Sequence, residues 1–183
     1  MLETARLILR PLRLSDAQDL LEYQSNSDVV RFIPWPARDQ SLVIEALEKA
    51  ISIHSDRPRK GGDSLFLAWE LKGGAKVVGQ SNLTVTSGEE RVAEIGWVTH
   101  QDFQRQGLAF EATRALIDFA FNSLSLNCLL AKIDVRNLVS VRLAERLGMS
   151  LVDKDPQPQV TKGEDCMMWT FEIRKTSQSA ASP

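Results

Sequence analysis

The chain has 183 residues, of which 43% are hydrophobic and 25% are charged, as is typical of a single globular domain with a sizeable core. Its formal net charge of −2 argues against a general nucleic-acid binder, because such proteins are usually basic. No apolar run is long enough to span a membrane and no signal peptide is visible, so we expect a cytoplasmic protein without a membrane partner.

A strand and a helix are predicted near the N-terminus. Leu7 and Leu9 alternate with less apolar neighbours, and this period of two predicts a strand within residues 6–13 with one buried face. Ser15 is a typical N-cap residue, and a helix is expected over residues 17–24.

A second helix is predicted after a segment that two prolines prevent from being helical. Pro34 and Pro36 interrupt the backbone hydrogen bonding, and Asp39 or Ser41 then opens the helix. One face of this helix is apolar and is expected to be buried. It consists of Val43, Ile44, Leu47 and Ile51.

Three strands in succession follow, over residues 65–71, 76–86 and 91–99. The short turns between them predict antiparallel pairing. Gly79 lies inside the second strand, where a glycine indicates a bulge or the close approach of another backbone.

The second half of the chain alternates between helices and strands. A helix over residues 108–121 and a strand over 129–135 are followed by a helix from Asn137 that ends at Gly148. Segments 149–152 and 166–173 then complete the sheet, with a connecting loop that begins at Pro156, and residues 176–183 are expected to be a disordered tail. We therefore expect one domain over residues 1–175.

A tight loop between the third of these strands and the next helix carries the strongest functional signal. It consists of Gln104, Arg105, Gln106, Gly107, Leu108 and Ala109. The first N–H groups of a helix have no intrahelical partners and lie at the positive end of the helix dipole, so such a start binds phosphate. Gly107 would let a ligand approach the main chain closely.

The pattern Gln-x-x-Gly-x-Ala resembles the pyrophosphate loop of the GNAT (Gcn5-related N-acetyltransferase) superfamily, which holds acetyl-CoA. Residues 6–20 resemble the N-terminal signature of its RimJ/RimL-like branch, Arg-Leu-x-Leu-Arg-Pro-Leu-x-x-x-Asp-Ala-x-x-Leu. Residues 137–149 resemble its stretch Asn-x-x-Ser…Leu-Gly-Phe, with Met149 in place of the phenylalanine. The resemblance covers roughly residues 4–175.

The resemblance implies an α/β (α+β) fold with a mixed, mostly antiparallel sheet of six or seven strands, splayed at its centre and flanked by about four helices. It implies acetyl-CoA as co-substrate. Pantetheine would lie against a local bulge at Trp97, Val98 and Thr99, where the N–H of Val98 or Thr99 would stabilise the oxyanion. Trp35 would form a wall of the substrate pocket, or alternatively pack on the core as a lid residue.

The resemblance also assigns roles in the second of these helices. Asn137 would contact pantetheine or the phosphates, and Ser140 would lie near the cofactor sulfur and protonate the leaving thiolate. The alternative for both residues is helix capping. Some family members place a tyrosine where this chain has Ala144, so Ser140 or a water would be the acid.

Glu94 is the candidate general base because it is the one carboxylate within its strand near the cofactor end. The alternative is a glutamate that faces solvent. No Cys-His or Ser-His-Asp constellation is visible, which favours direct attack of the amine in a ternary complex over a covalent intermediate.

We therefore expect an acetyl-CoA-dependent N-acetyltransferase that acts on the N-terminal amine of a protein or peptide. The alternatives are a small-molecule amine (an aminoglycoside, a polyamine or an amino acid) and a non-catalytic acyl-CoA-binding module. Cys128 and Cys166 are expected to be buried free thiols, and the isolated histidines predict no metal site. The sequence is compatible with a homodimer and does not decide the oligomeric state.

Overall fold

A computed structural model describes residues 1–152 and 157–176, which contain nine strands and four helices. The strands are β1 Leu2–Glu3, β2 Leu7–Pro11, β3 Ser64–Leu71, β4 Val77–Ser87, β5 Val92–Thr99, β6 Cys128–Asp134, β7 Ser150–Leu151, β8 Gln157–Thr161 and β9 Glu164–Arg174. The helices are α1 Ala17–Gln24, α2 Gln40–Ser52, α3 Leu108–Asn122 and α4 Leu138–Arg146. The predicted disordered tail lies outside the described residues from position 177 onward, as do positions 153–156 of the predicted loop.

The strands form one sheet in the order β1-β2-β3-β4-β5-β6-β9-β7, with β8 paired to β9. Every neighbouring pair is antiparallel except β5 and β6, which are parallel. The predicted mixed, mostly antiparallel sheet with four helices is confirmed. β1 and β7 have two residues each, so the remaining strands match the upper end of the expected number.

The parallel pair separates after three residues. Val92, Ala93 and Glu94 pair with residues 128–130 of β6, and the described residues show no further pairing between the two strands. Beyond this point β5 remains paired with β4 as far as Thr99, while β6 remains paired with β9 as far as Asp134. The carboxyl ends of β5 and β6 therefore diverge, and the predicted central splay is confirmed.

The predicted bulge at Trp97, Val98 and Thr99 is wrong. Pairing between β4 and β5 runs without a break from the pair Val85 and Ala93 to the pair Gly79 and Thr99. The register shifts instead at the far end of β4, between residues 85 and 87, and in β3 between residues 68 and 70. An extra residue is not needed, because the splay itself frees the outer edge of β5.

The sheet has a core on each face. Helices α3 and α4 cover one face, where Leu83, Ile95 and Leu116 are buried in the larger cluster. Helices α1 and α2 cover the other face, with Leu47 and Val98 in the smaller cluster. Alternate residues along β5 therefore point to different helices, as the period of a strand requires.

Half of the predicted apolar face of α2 is buried. Val43 and Leu47 are each 1% exposed, whereas Ile44 and Ile51 are more than a third exposed. The helix packs on α1 along a narrow stripe, and Ile44 and Ile51 lie outside it. Asp39 is the N-cap of this helix, since its carboxylate accepts a hydrogen bond from the N–H of Leu42 at 2.9 Å.

The prediction that Ser15 caps α1 is wrong. Residues 14–16 form a 3₁₀ turn before the helix, and the carboxylate of Asp16 accepts the N–H of Arg13 at 2.8 Å. The same buried carboxylate receives two hydrogen bonds from the guanidinium of Arg10, at 2.7 and 2.8 Å, and Glu70 binds the third side of that guanidinium. This ion cluster fixes the start of α1 to β2 and β3.

Strand β8 occupies part of the region expected to be a loop. It forms a hairpin with β9 through a two-residue turn, Lys162 and Gly163, whose φ angles of 56° and 79° match a type I′ turn. The ammonium of Lys162 donates to the carbonyl oxygens of Val30 at 2.6 Å and Arg31 at 3.0 Å. The hairpin is thereby tied to the segment between α1 and α2.

The close approach expected at Gly79 provides a test of the fold. A Cβ at this position would lie 2.4 Å from Cε3 of Trp69 and 2.7 Å from the carbonyl oxygen of Val98. Gly79→Ala should therefore lower the free energy of unfolding by about 2 kcal/mol through overpacking, measured by urea denaturation.

Gly74→Ala is the matched control for Gly79→Ala. A Cβ at Gly74 has no atom within 4 Å and the residue lies in an exposed turn, so its stability should remain within about 0.5 kcal/mol of the native chain. Equal stability of the two variants would show that the packing around Trp69 is loose.

Candidate active site

A cavity of about 460 Å³ lies in the splay between β5 and β6 and extends across the sheet face that carries α1 and α2. Six of the residues singled out in the sequence lie in its wall. They are Trp35, Glu94, Trp97, Val98, Asn137 and Ser140. Thr99 and the loop of residues 104–109 do not line it.

The open edge of β5 presents main-chain groups to this cavity. The N–H of His100 donates to the carbonyl oxygen of Val78 on β4 at 2.9 Å, which fixes the alternation of the antiparallel ladder. The main-chain groups of Val98 therefore point toward β4, and those of Trp97 and Thr99 point toward the splay. The N–H of Val98 faces β4 and is excluded as an oxyanion donor, whereas the N–H of Thr99 faces the splay.

The N-terminus of α3 lies at the surface and has no side-chain cap. Its N-cap is Gly107, which has a φ of 78° and makes no side-chain cap hydrogen bond, whereas Asp39 and Asn137 cap α2 and α4. Residues 104–107 are exposed. A Cβ at Gly107 would meet only the Nη2 atom of Arg6, at 3.6 Å. The left-handed backbone explains the glycine, since the protein does not crowd this position.

Side chains hold this loop in place from within. The amide of Gln104 donates to the carbonyl oxygen of Thr99 at 3.2 Å, and the amide of Gln106 donates to that of Asp102 at 2.9 Å. The guanidinium of Arg6 on the N-terminal strand donates to the carbonyl oxygen of Gln106 at 2.9 Å. These contacts fix the loop within the protein itself.

Glu111 in the first turn of α3 anchors the N-terminal strand to the loop. Its carboxylate accepts hydrogen bonds from the hydroxyl of Thr4 at 2.6 Å, the N–H of Arg6 at 2.7 Å and the guanidinium of Arg6 at 2.7 Å. Burial raises the pKa of Glu111, but these three hydrogen bonds outweigh it, and the pKa lies below its usual value of 4.5.

Asn137 caps α4, as one of the two interpretations predicted. Its side-chain oxygen accepts the N–H of Ser140 at 3.2 Å. Asn137 and Ser140 are half-buried in the cavity wall, so the capping contact also fixes the serine beside the splay. Helices α3 and α4 follow β5 and β6 directly, and both begin at the splayed end of the sheet.

Glu94 is the last residue of β5 that pairs with β6, at the point where the splay begins. Its carboxylate contacts a neighbouring side chain and is not directed only to solvent. Its side chain lines the cavity on the face that carries α1 and α2, and its Oε2 atom lies 3.2 Å from the ammonium of Lys132. Asp134 is a second carboxylate in the wall. The hydrogen bond from Arg136 lowers the pKa of Asp134, which therefore stays ionised and bound to its partner.

A chain of polar side chains, absent from the sequence predictions, forms the floor of the cavity beneath α1. Gln80 accepts hydrogen bonds at its side-chain oxygen from the hydroxyl of Tyr23 at 2.8 Å and from the amide of Gln24 at 2.9 Å. Gln24 in turn accepts from Arg38 at 2.9 Å, and Arg38 lies over the ring of Trp35 at 4.0 Å. No local pattern signals these contacts, because they join residues that are 14 to 57 positions apart.

The chain's one tyrosine is Tyr23, and it does not replace the missing catalytic tyrosine. It is fully buried, and burial raises the pKa of its hydroxyl, which donates to Gln80. Ala144, where the resemblance described above would place the tyrosine, is buried in the core. Among the hydroxyl-bearing residues that line the cavity, Ser140 is therefore the nearest in sequence to position 144.

The described residues contain neither a metal-binding cluster nor a membrane-spanning helix. Residues 1–152 and 157–176 contain no group of three or more His, Cys, Asp or Glu side chains placed to bind a metal ion. Within the same residues, no helix has the length and apolar character needed to cross a bilayer.

Comparison with known proteins gives a consistent result. A model of the acetyltransferase (GNAT) domain matches residues 6–150. The chain is 31% identical over 175 residues to the uncharacterized N-acetyltransferase p20 of Bacillus licheniformis, covering 95% of this chain and 96% of that protein. Its structure matches an acetyltransferase (GNAT family) from Bacillus anthracis with a TM-score of 0.83 and 23% identity, over 94% and 97% of the two chains.

A second solved structure of the same fold contains a cofactor. It is RimL, a ribosomal L7/L12 α-N-protein acetyltransferase, in complex with coenzyme A. The TM-score is 0.80 and the identity 17%, over 93% of this chain and 95% of RimL.

The anchor at Glu111 predicts a pH-dependent contribution to stability. Because the folded-state pKa lies below 4.5, the contribution is complete above the unfolded value and is lost as pH falls through the folded value. Glu111→Gln should therefore lower stability at pH 7 and lose less stability than the native chain between about pH 5 and pH 3. Urea denaturation across that range measures the difference.

Glu89→Gln serves as the control for Glu111→Gln, since Glu89 is exposed in the turn between β4 and β5. Its pH profile should coincide with that of the native chain. An equally steep acid loss in Glu111→Gln would mean that the three hydrogen bonds to the carboxylate contribute nothing to the folded state.

Proposed function

The chain belongs to the GNAT acetyltransferase family, and we propose that it acetylates the N-terminal α-amine of a protein or peptide by direct attack on acetyl-CoA. The observation that carries this proposal is the splay of β5 and β6, which places an open strand edge beside two helix N-termini and the cavity. An extended thiol cofactor with phosphates at one end and an acyl group at the other matches that arrangement.

The phosphates would bind at the start of α3. The exposed residues 105–107 and the first turn of α3 lie at the positive end of the helix dipole, and Gly107 leaves the approach open. Coenzyme A in the RimL structure supports this choice of ligand. Pantetheine would then extend along the open edge of β5, where Trp97 and Thr99 direct main-chain groups to the splay, with the free part of the Asn137 amide beside it.

The acetyl group would lie at the splay, between β5 and α4. The N–H of Thr99 would donate to the carbonyl oxygen as it becomes an oxyanion, a role that needs a donor fixed before the reaction. Ser140, held in the wall by the Asn137 cap, would protonate the thiolate of coenzyme A as it leaves. Both substrates would be present together, which supplies the proximity that the reaction needs.

The acceptor amine would enter from the face that carries α1 and α2, past Trp35. An α-amine with a pKa of about 8 has about one-tenth of its molecules in the neutral form at pH 7, so it needs only a weak base. A lysine amine with a pKa of about 10.4 is almost fully protonated and needs a stronger base. Glu94 would accept the proton, directly or through one water. Its Oε2 atom is held by Lys132, which leaves Oε1 for this role.

Two alternatives remain as outcomes of measurement. A small-molecule amine would use the same cofactor site and the same cavity. A module without catalytic activity would bind acetyl-CoA but would release no coenzyme A when amines are added. The family membership and the presence of Ser140 and Glu94 in the cavity wall argue against such a module.

Gly107→Glu tests the cofactor site. The new carboxylate would occupy the phosphate position and repel it, so acetyl-CoA affinity should fall by at least about 100-fold in calorimetric titration. Gly73→Glu is the matched control. Gly73 also has a positive φ, 84°, and no atom within 4 Å of its Cβ position, but it lies in the turn between β3 and β4. Unchanged affinity in Gly107→Glu would contradict the placement of the phosphates.

Ser140→Ala tests the acid. Removing the hydroxyl should lower kcat by about 10- to 100-fold while acetyl-CoA affinity changes by less than about threefold, because the Asn137 cap uses the serine N–H and remains. Steady-state release of coenzyme A with a peptide acceptor measures the rate. If kcat is unaltered, a water supplies the proton and Ser140 has no role as acid.

A further inference from the structure

We propose that Arg38 binds a carboxylate of the acceptor, so that the preferred substrates are amines that carry a carboxylate close to the amino group. This inference rests on the proposed function and narrows its acceptor class. The side-chain carboxylate of an acidic first residue in a peptide lies within the proposed acceptor class, and the α-carboxylate of a free amino acid, which belongs to the small-molecule alternative, is the second chemical source of the same group.

The guanidinium of Arg38 is held in one position from two sides. It donates to the side-chain oxygen of Gln24 at 2.9 Å, and it lies 4.0 Å from the centroid of the Trp35 ring. The main chain adds a third connection, because the N–H of Arg38 donates to the carbonyl oxygen of Gln24 at 3.0 Å. A guanidinium stacked on an aromatic ring keeps its planar fork available at its outer edge.

Arg38 forms no ion pair with any of the described residues. Among residues 1–152 and 157–176, no carboxylate oxygen lies within 4.0 Å of its nitrogen atoms. The two carboxylates in the same cavity wall, Glu94 and Asp134, are bound to Lys132 and Arg136. Burial lowers the pKa of Arg38, and the charge of Glu45, which forms no ion pair with it, offsets this cost of desolvation only in part.

A partly desolvated cation without a counter-ion is a ready site for an anion. The guanidinium has five N–H donors, and Gln24 takes one of those on its side chain. Two parallel donors match the geometry of a carboxylate, and such charge-assisted pairs are stronger than neutral hydrogen bonds. The protein therefore provides both the charge and the free donors that a carboxylate needs.

The position of Arg38 connects this site to the reaction. Gln24 donates to Gln80 at 2.9 Å, and Gln80 is the partner of Val98 across the β4–β5 ladder. Two side chains thus separate the guanidinium from the strand that would hold the acetyl group. An acceptor bound at Arg38 would extend its amine toward the splay, with the carboxylate on the opposite side.

The same observations argue against two other ligands. A polyamine would place a second positive charge against Arg38, which is repulsive. The phosphates of the cofactor are not candidates, because Arg38 precedes α2 on one face of the sheet, while α3, whose N-terminus would bind them, packs on the opposite face.

The test compares acceptors that differ in one carboxylate. Leucine is compared with leucinamide, and a short peptide that begins with aspartate is compared with the same peptide that begins with asparagine. The rate measured is the acetyl-CoA-dependent release of coenzyme A, as kcat/KM, for the native chain and for Arg38→Gln. The native-to-variant ratio for each acceptor cancels differences in amine basicity.

Removing the guanidinium should lower kcat/KM for one of the two carboxylate-bearing acceptors by about 10- to 100-fold, mainly through KM, and should change the value for its amide partner by less than about threefold. The pair that responds identifies the source of the carboxylate. Arg57→Gln is the matched control, because Arg57 is an exposed arginine in the loop between α2 and β3 that does not line the cavity, and it should have little effect on either acceptor.

Arg38→Lys keeps the charge but loses the fork, and an intermediate loss is expected. Acetyl-CoA affinity and circular dichroism of each variant verify that the fold is intact. If Arg38→Gln does not fold, Arg38→Lys and the carboxylate-to-amide preference of the native chain decide the question.

Several results would overturn the inference alone. They are turnover without any carboxylate preference, equal losses for both members of each pair in Arg38→Gln, a loss in Arg57→Gln as large as in Arg38→Gln, or faster turnover of spermidine than of every carboxylate-bearing acceptor. Binding of acetyl-CoA without transfer to any amine would instead remove the proposed function, and the inference with it.

Discussion

The structure depends on one constraint, the short contact between two parallel strands. β5 and β6 share three pairs of residues and then follow different neighbours, β4 and β9, each of which holds its strand by a longer antiparallel ladder. Continued pairing would close the cavity and occupy the outer edge of β5. Because buried main-chain groups need hydrogen-bond partners, the open edge is stable only where water or a ligand can reach it. The splay is therefore both a structural gap and the surface that we propose for cofactor binding.

The N-terminal signature has a physical explanation in this context. Its first arginine, Arg6, joins β2 to the loop before α3 through Gln106 and Glu111, and its second, Arg10, lies in the buried cluster with Asp16 and Glu70. One arginine thus supports the end of the site where the cofactor would bind, and the other fixes α1, which carries part of the acceptor-side wall. The helical and strand periodicities do not require either residue.

The sequence predicted what local patterns and family motifs encode. The bounds of α1 and the cap of α2 followed from short-range patterns, and the splay followed from the resemblance. The bulge at residues 97–99 did not occur, because register is set by pairing with β4, which a motif does not report. The contacts among Tyr23, Gln24, Arg38 and Gln80 could not be predicted, since they depend on how distant segments pack. Strand β8 was missed because Lys-Gly is a weaker turn signal than Asn-Gly.

The two ends of the cavity differ in what they are made of. Main-chain groups of β5 form its proposed cofactor end, beyond which lies the start of α3, whereas side chains from α1, the segment after it, α2, β4 and the β8–β9 hairpin form the other end. Almost any side-chain substitution leaves a main-chain group in place, but it changes a side-chain wall directly. Inherited variation can therefore alter the acceptor specificity of such an enzyme while its use of the cofactor persists.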